Sequence, residues 1–208
     1  MEGVLSLSEE IGGAICGDFP SLKLGRSVKY HSTIERDLLY ILEYEAEVER
    51  YQEQPFTIQG MLGDGKHRYT PDYAIWTTGE RLLVECKPAN KQMNQHSLQQ
   101  QALGEDWCQR NGWRYQFVTD EDLRRGHRLD NLKLLWRYSR LYLPPSQLFY
   151  LNEIAASGTN IGDLATQVGG MPGVLSLIFH HYIYTDLSQE LTAQSRIWRQ
   201  EKRLDGTC

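Results

Sequence analysis

The sequence has few cysteines, no long apolar run and no glycine-rich phosphate loop. Its four cysteines stand far apart in 208 residues and form no CxxC or Cys/His ligand spacing, so neither a disulfide framework nor a structural zinc site is expected. No stretch approaches the roughly 20 apolar residues of a membrane span, and the N-terminus lacks the basic and apolar regions of a signal peptide. The Gly63-x-Gly65 turn lacks the Lys-Ser/Thr of a P-loop, so we do not expect the chain to bind ATP itself. These absences predict a reduced cytoplasmic protein without a membrane partner.

The charge is acidic overall but unevenly distributed. The chain has a net charge of −5, with 40% hydrophobic and 24% charged residues, which excludes a disordered chain. Residues 110–140 nevertheless hold eight Lys and Arg against four Asp and Glu, whereas residues 144–208 hold four against six. A local basic region can attract a phosphate backbone while the whole chain stays acidic. The alternative is a solvated helix face.

Periodicity predicts an α/β unit in the first two-thirds of the chain. A helix begins at Ser32, where Glu35 has capping-box spacing, and its apolar positions mark one face. Three short extended segments follow and read as antiparallel strands joined by tight turns. A helix over 95–110, a fourth strand and a helix over 129–141 complete the unit, which Pro144-Pro145 closes. The sequence therefore predicts a first domain over residues 1–143, with a core over about 25–140.

The remaining residues 144–208 read as a small, mainly helical domain. Helices are predicted over 147–156, 161–168 and 173–180, followed by extended chain. Three helices followed by a hairpin is the outline of a winged helix, in which the third helix would read DNA. That helix carries no Lys or Arg, however, and phosphate contacts depend on cations. The tail therefore favours a protein partner over a DNA groove.

The chemistry-bearing pattern is Pro71-Asp72, a gap of 12 residues, and Glu85-Cys86-Lys87. Side chains alternate along a strand, so Glu85 and Lys87 share one face, about 6.5 Å apart, while Leu82, Val84 and Cys86 are expected to form the core. Asp72 opens the neighbouring strand and can reach the same point. Two convergent carboxylates would hold a hard cation such as Mg²⁺, and Lys87 could orient water or stabilise charge on a phosphate. The alternative is an ordinary Glu–Lys pair on a surface strand.

Glu35 in the first helix is the candidate fourth member of this site. In the PD-(D/E)xK nuclease core, which this motif resembles, the first helix packs beside the sheet and often contributes an acidic metal ligand. A glutamate three residues after Ser32 is also what a capping box requires, and the two roles can overlap. Farther along, Lys91 and the Gln99–Gln101 run could touch the site, although a surface lysine and a solvated helix face are the expected readings.

The assembly of acidic helix, three strands and following helix resembles the PD-(D/E)xK nuclease core of restriction endonucleases. The order of short blocks resembles, more narrowly, the TnsA endonuclease family of cut-and-paste transposons. The blocks are ERDLLYILE (35–43), YQEQPFTI (51–58), RYTPDY (68–73), LVECKP (83–88) and FVTDEDL (117–123). The resemblance covers residues about 25–140, and the tail resembles that family's smaller C-terminal domain more weakly.

The resemblance implies a fold and an activity. It implies a mixed sheet flanked by helices, with a winged-helix-like C-terminal domain, and an Mg²⁺-dependent endonuclease for which Mn²⁺ substitutes. The catalytic roles would fall on Glu35, Asp72, Glu85 and Lys87, with Glu35, Asp72 and Glu85 as metal ligands. The enzyme would cut the 5′ strand at each end of a transposon in double-stranded DNA, in the bacterial cytoplasm at the nucleoid. A DDE-type transposase would process the 3′ strands, and an AAA+ ATPase regulator would activate both proteins.

Two other functions remain open from the sequence. A freestanding nuclease with the same core could serve defence or repair. A non-catalytic DNA- or protein-binding subunit could retain the fold, although the presence of Asp72, Glu85 and Lys87 argues against it because inactive copies usually lose one of them.

Overall fold

The computed structural model describes residues 10–11, 14–62, 65–91, 94–148, 151 and 158–199. These residues divide into two compact units, one ending at Leu123 and the other beginning at Arg124. No helix in the described part of the chain is both long enough and apolar enough to cross a membrane.

The first unit combines short hairpins, a central sheet and two long helices. Its strands are β1 (Glu10–Ile11), β2 (Ala14–Ile15), β3 (Gly17–Pro20), β4 (Ser27–Tyr30), β5 (Val48–Glu53), β6 (Ile58–Leu62), β7 (Gly65–Tyr69), β8 (Tyr73–Thr77), β9 (Arg81–Lys87) and β10 (Arg114–Thr119). Its helices are α1 (Thr33–Tyr44), α2 (Gln95–Asn111) and α3 (Asp120–Arg124), of which α3 reaches the division between the units.

The central sheet has the strand order β10-β9-β8-β5. Strands β5, β8 and β9 are antiparallel neighbours, whereas β10 pairs with β9 in parallel after the α2 crossover. The pairs β1–β2, β3–β4 and β6–β7 form separate two-stranded sheets. Helix α1 packs against β5 and β9, and α2 packs against β10 and the β6–β7 hairpin. The predicted mixed sheet flanked by helices is confirmed.

The predicted start of α1 is confirmed by its cap. The Ser32 hydroxyl accepts a hydrogen bond from the Glu35 backbone N–H at 3.1 Å. The helix is buried on more than the single predicted face, because Asp37 and Leu39 are buried together with Ile34 and Leu38. The strands of the sheet and the hairpins around the helix therefore surround it more completely than the hydrophobic period indicates.

Helix α2 begins and ends where the sequence predicts. Asn94 caps its N-terminus by accepting from the Ser97 N–H, and Gly112 ends it in the left-handed conformation with φ 69°. One cluster of buried residues lies between the helix, the hairpin and the sheet: Ile58, Tyr69, Ala74, Leu83, Leu103 and Cys108. This cluster covers the sheet face that carries Glu85.

The prediction that a single face of β9 forms the core is therefore incomplete, because both faces of the strand carry buried residues. Val84 is buried as predicted, but Leu83, on the same face as Glu85, is also fully buried, while Leu82 and Cys86 are only half-buried. The reason is that the crossover helix α2 and the β6–β7 hairpin cover the second face of the strand.

The extended segment predicted from residue 48 is two strands rather than one. Strand β5 ends at Glu53, and Gln54 follows with a positive φ of 39°, donating its N–H to the carbonyl oxygen of Asp72 at 2.8 Å. The segment predicted around Pro71 is likewise divided into β7 and β8. In the predicted turn of the β6–β7 hairpin, residues 63 and 64 lie outside the described residues, and the strands pair up to Leu62 and Gly65.

The second unit contains four helices and three short strands in its described part. They are α4 (Arg128–Trp136), α5 (Pro145–Leu148), β11 (Thr159–Asn160), α6 (Ile161–Ala165), α7 (Gly170–Phe179), β12 (Tyr184–Thr185) and β13 (Arg196–Trp198). The three strands form one antiparallel sheet in the order β11-β13-β12. The predicted helices over 161–168 and 173–180 correspond to α6 and α7. Most of the helix predicted over 147–156 lies outside the described residues.

Helix α4 belongs with this second unit. It packs against α7, and the side-chain amide of Asn131 donates to the carbonyl oxygens of Leu187 and Gln189 at 2.9 and 2.6 Å. The division between the compact units therefore falls about twenty residues before the Pro144-Pro145 step. The boundary at 143/144, which concerns independent folding, stays a prediction.

Candidate active site

A cavity of about 800 Å³ opens in the first unit between the start of α1, the end of β9 and the start of α2. Its lining includes all four residues that the sequence predicts for the site: Glu35, Asp72, Glu85 and Lys87. Strand alternation and the Pro-Asp step therefore bring residues separated by up to 52 positions into one cleft.

Asp72 lies at the step that separates β7 from β8. Its Oδ2 accepts a hydrogen bond from the backbone N–H of Cys86 at 2.7 Å. Because Cys86 stands between Glu85 and Lys87, this bond aligns the Asp72 carboxylate with the central part of the motif. A local Pro-Asp break and a cross-strand hydrogen bond together fix its position.

Glu85 and Lys87 lie on one face of β9, as predicted. Glu85 Oε2 accepts a 2.6 Å hydrogen bond from the Tyr69 hydroxyl, and Glu85 Oε1 lies 3.6 Å from Lys87 Nζ. Nζ is buried and has no hydrogen-bond acceptor among the described residues; it also lies 4.9 Å from the ring centroid of Phe117. The Lys87 ammonium thus has charge partners but has hydrogen-bonding capacity left for a further group in the cleft.

Glu35 performs the capping role and also lines the cleft. Its Oε2 accepts from the His31 backbone N–H at 2.9 Å, while its own N–H donates to Ser32. The side chain is only 9% exposed, yet its charge contributes to raising the pKa of both Asp72 and Glu85. The two roles weighed for Glu35 are therefore compatible in this geometry.

The carboxylates in the cleft affect one another's protonation. Burial, followed by the charge of Glu85, raises the pKa of Asp72 to about 7, against the opposing effects of the Cys86 N–H and the Lys87 charge. Burial also raises the pKa of Glu85, while the Tyr69 hydrogen bond and Lys87 oppose that change. Glu35, Asp72 and Glu85 together thus carry more negative charge than the adjacent Lys87 neutralises.

Comparison with protein families agrees with the resemblance that the sequence motifs indicate. Residues 45–120 match the family described as TnsA-like endonuclease N terminal. The matched segment contains Asp72, Glu85 and Lys87 and excludes Glu35. This part of the chain is similar to a TnsA-like endonuclease N-terminal domain, and we refer to it as the TnsA-like endonuclease domain. No curated protein matches the chain.

The side chains that line the cleft fit a divalent cation. Glu35, Asp72 and Glu85 offer only oxygen ligands, which Mg²⁺ and Mn²⁺ accept, and their mutual repulsion is what a cation would relieve. Within the described ranges, no three His, Cys, Asp or Glu side chains form a ready-made metal-binding group. The carboxylates would therefore have to move closer together to bind one ion.

Cys86 does not offer the endonuclease domain a reactive thiolate. Burial, followed by the charge of Asp72, raises the pKa of its thiol well above the ordinary value. The thiol stays protonated at neutral pH, so a covalent cysteine mechanism does not fit this cleft.

Some residues that line the cleft were not predicted from the sequence. Lys91 and Gln100 line the cleft, whereas the sequence favoured a surface lysine and a solvated helix face at these positions. The Gln101 side chain instead donates a hydrogen bond of 2.7 Å to Glu105 on the exposed surface. His31 and His96 also line the cleft. No local spacing pattern marks these positions, because they meet only when α1, β9 and α2 pack together.

Proposed function

We propose that this protein is a metal-dependent DNA endonuclease that cleaves the 5′ strands at transposon ends during cut-and-paste transposition. The observation that carries the proposal is the buried Lys87 ammonium, which lacks a hydrogen-bond acceptor within the described residues and lies in the same cleft as Asp72 and Glu85. A scissile phosphate or its attacking water would supply that acceptor. The TnsA-like endonuclease domain supports the link to transposition.

The residues of the cleft have separate roles in the proposed reaction. Glu35, Asp72 and Glu85 would hold Mg²⁺, with Mn²⁺ as a substitute, and the bound ion would supply Lewis-acid stabilisation of the phosphate charge. Lys87 Nζ would donate to a phosphate oxygen or to the attacking water. Water adds to phosphorus and the P–O3′ bond breaks, which leaves a 5′-phosphate and a 3′-hydroxyl.

We also propose a winged-helix-like fold for the second unit. The element order β11, α6, α7, β12, β13 and the sheet order β11-β13-β12 support this fold. The described residues of α7 from 173 to 179 are all buried, and the helix has no Lys or Arg. Such a helix is not available for insertion into a DNA groove.

The partners in the proposal are a DDE-type transposase and an AAA+ ATPase regulator, acting with double-stranded transposon ends at the nucleoid in the bacterial cytoplasm. The second unit supports a protein contact because Tyr142 and Tyr182 are 80% and 50% exposed beside a cavity of about 230 Å³. The endonuclease would cut poorly alone, since an acidic chain binds DNA phosphates weakly at physiological salt.

The test is a strand-specific cleavage assay with duplexes that contain or lack the transposon ends, in Mg²⁺, with and without the cognate transposase and ATPase. We expect 5′-strand cuts confined to the transposon boundary and strongly increased by the partners, with Asp72→Asn as the inactive control. Vigorous end-independent cutting by the protein alone would instead indicate a freestanding nuclease. Absence of cutting under every condition, with Mg²⁺ or Mn²⁺, would indicate a binding subunit.

A further inference from the structure

The carboxylate of Glu85 accepts a hydrogen bond from Tyr69 at the end of β7, and Tyr69 in turn is hydrogen-bonded to Tyr115 on β10. The Tyr69 hydroxyl lies 2.6 Å from Glu85 Oε2 and 3.0 Å from the Tyr115 hydroxyl. Tyr69 is only 2% exposed, so its hydroxyl has little access to water. We call Tyr69 and Tyr115 the tyrosine pair.

The direction of these hydrogen bonds follows from the protonation of Tyr69. Burial and the negative charge of Glu85 raise the pKa of the Tyr69 phenol, so it keeps its proton. The Tyr69 O–H therefore donates to Glu85, and the Tyr115 O–H is left to donate to the Tyr69 oxygen. The tyrosine pair thus forms a short donor chain that ends on one oxygen of Glu85.

Helix α2 provides the space that the tyrosine pair needs. A Cβ atom at Gly104 would come within 2.4 Å of the Tyr115 ring and 3.0 Å of the Tyr69 ring. A glycine inside a helix is less favourable than an alanine. Gly104 therefore lowers the intrinsic stability of α2 at a position where the rings of Tyr69 and Tyr115 approach the helix backbone.

The consequence for the site concerns the second oxygen of Glu85. With Oε2 engaged by Tyr69, Oε1 faces Lys87 at 3.6 Å, which is longer than a charge-assisted hydrogen bond. Without the Tyr69 bond, the carboxylate could rotate and close onto the Lys87 ammonium. A closed Glu85–Lys87 pair would withdraw both groups from the reaction.

We propose that Tyr69, supported by Tyr115, is a positioning residue that fixes Glu85 so that its Oε1 stays available to a divalent cation and Lys87 stays available to the phosphate. The inference rests on the proposed function, since it assigns Glu85 to the cation. Groups that orient metal ligands in this way typically change metal affinity or activity by about 10- to 100-fold when they are removed.

The test compares Tyr69→Phe with Tyr51→Phe by calorimetric titration of the intact protein with Mg²⁺ in the absence of DNA. Tyr51 is a matched control because its hydroxyl donates to another buried carboxylate, Glu43, also at 2.6 Å, and neither residue lines the cleft. We expect Tyr69→Phe to weaken Mg²⁺ binding at least about 10-fold and Tyr51→Phe to leave it unchanged. In cleavage assays the Mg²⁺ concentration for half-maximal rate should rise in parallel for Tyr69→Phe.

Tyr115→Phe supplies a second measurement if Tyr69→Phe fails to fold. It leaves the Tyr69–Glu85 bond in place and removes only its support, so a smaller loss of Mg²⁺ affinity in the same direction is expected. Wild-type affinity in the folded Tyr69→Phe variant, or in Tyr115→Phe where Tyr69→Phe does not fold, would overturn the positioning role and leave the proposed function intact. A wild-type protein that binds no Mg²⁺ would overturn both.

Discussion

The carboxylate of Asp72 accepts a hydrogen bond of 2.7 Å from the backbone N–H of Cys86. This bond joins the start of β8 to the end of β9, at the residue between Glu85 and Lys87. It therefore connects the two halves of the motif, which have 12 residues between them in the chain. The proposed catalytic geometry depends on this hydrogen bond between β8 and β9.

Asp72→Asn should abolish cleavage while the fold is kept. The asparagine oxygen can still accept from Cys86, but the charge that attracts a cation is lost. We expect at least a 100-fold loss of cleavage, since removal of one key catalytic electrostatic interaction commonly costs about 10²–10³-fold. Asp106→Asn is the control, because Asp106 is an exposed residue of α2 that pairs with Arg110. Wild-type cleavage by Asp72→Asn would remove Asp72 from the site.

The stability of the metal-free protein should depend on pH through Asp72. Burial and the charge of Glu85 raise its pKa to about 7 in the folded state, whereas an unfolded aspartate titrates near about 4. The folded state therefore binds the proton of Asp72 more tightly than the unfolded state does. The resulting contribution to the free energy of unfolding is present below about pH 4 and is lost as the pH rises through about 7.

Calorimetric melting in EDTA checks this prediction. The Tm of the wild type should fall relative to that of Asp72→Asn between about pH 4 and 7, by roughly 2–4 °C for each 1 kcal/mol. A difference in Tm that stays constant across this range would contradict the raised pKa.

Lys87→Met should separate metal binding from turnover. The ammonium lies 3.6 Å from Glu85 and offsets part of the carboxylate charge, so its removal should lower the Tm of the metal-free protein. Mg²⁺ binding by calorimetry should persist, because the three carboxylates remain, while cleavage falls by about 100-fold or more. Lys66→Met, on the exposed side of β7, is the matched control. Retained turnover in Lys87→Met would refute the role of Lys87.

Glu35→Gln and Ser32→Ala should separate the ligand and capping roles of Glu35. Glutamine keeps an oxygen that can accept from the His31 N–H, so Glu35→Gln should preserve Tm and lower Mg²⁺ affinity. Ser32→Ala removes the acceptor of the Glu35 N–H and should cost about 1 kcal/mol of stability while Mg²⁺ binding is retained. If Glu35→Gln binds Mg²⁺ like the wild type, Glu35 is a capping residue only.

Truncation tests the domain boundary. A fragment ending at Leu123 keeps every strand of the central sheet, so we expect it to melt cooperatively. A fragment ending at 143 keeps α4 without α7 and would expose Leu129, Leu132 and Leu135, which are buried in the full chain. It should therefore aggregate more readily in light-scattering measurements. Equal solubility of the two fragments would favour the boundary at 143/144 that the sequence predicts.

Local periods and capping residues were enough to predict several features of the fold. Ser32 predicted the start of α1, Gly112 predicted the end of α2, and the two-residue period of a strand placed Glu85 and Lys87 on one face. These features could be predicted because backbone geometry and capping hydrogen bonds involve residues within a few positions of one another.

The remote residues that surround the motif follow from long-range packing and could not be predicted. Tyr69 reaches Glu85 across 16 positions of the chain and Tyr115 reaches Tyr69 across 46, and Gly104 admits the two rings only because α2 crosses over β9 and β10. The same holds for α4, which packs against α7 about 40 positions farther along the chain. Burial of apolar area is non-directional and is determined by the whole packing arrangement, so no local pattern specifies these partners.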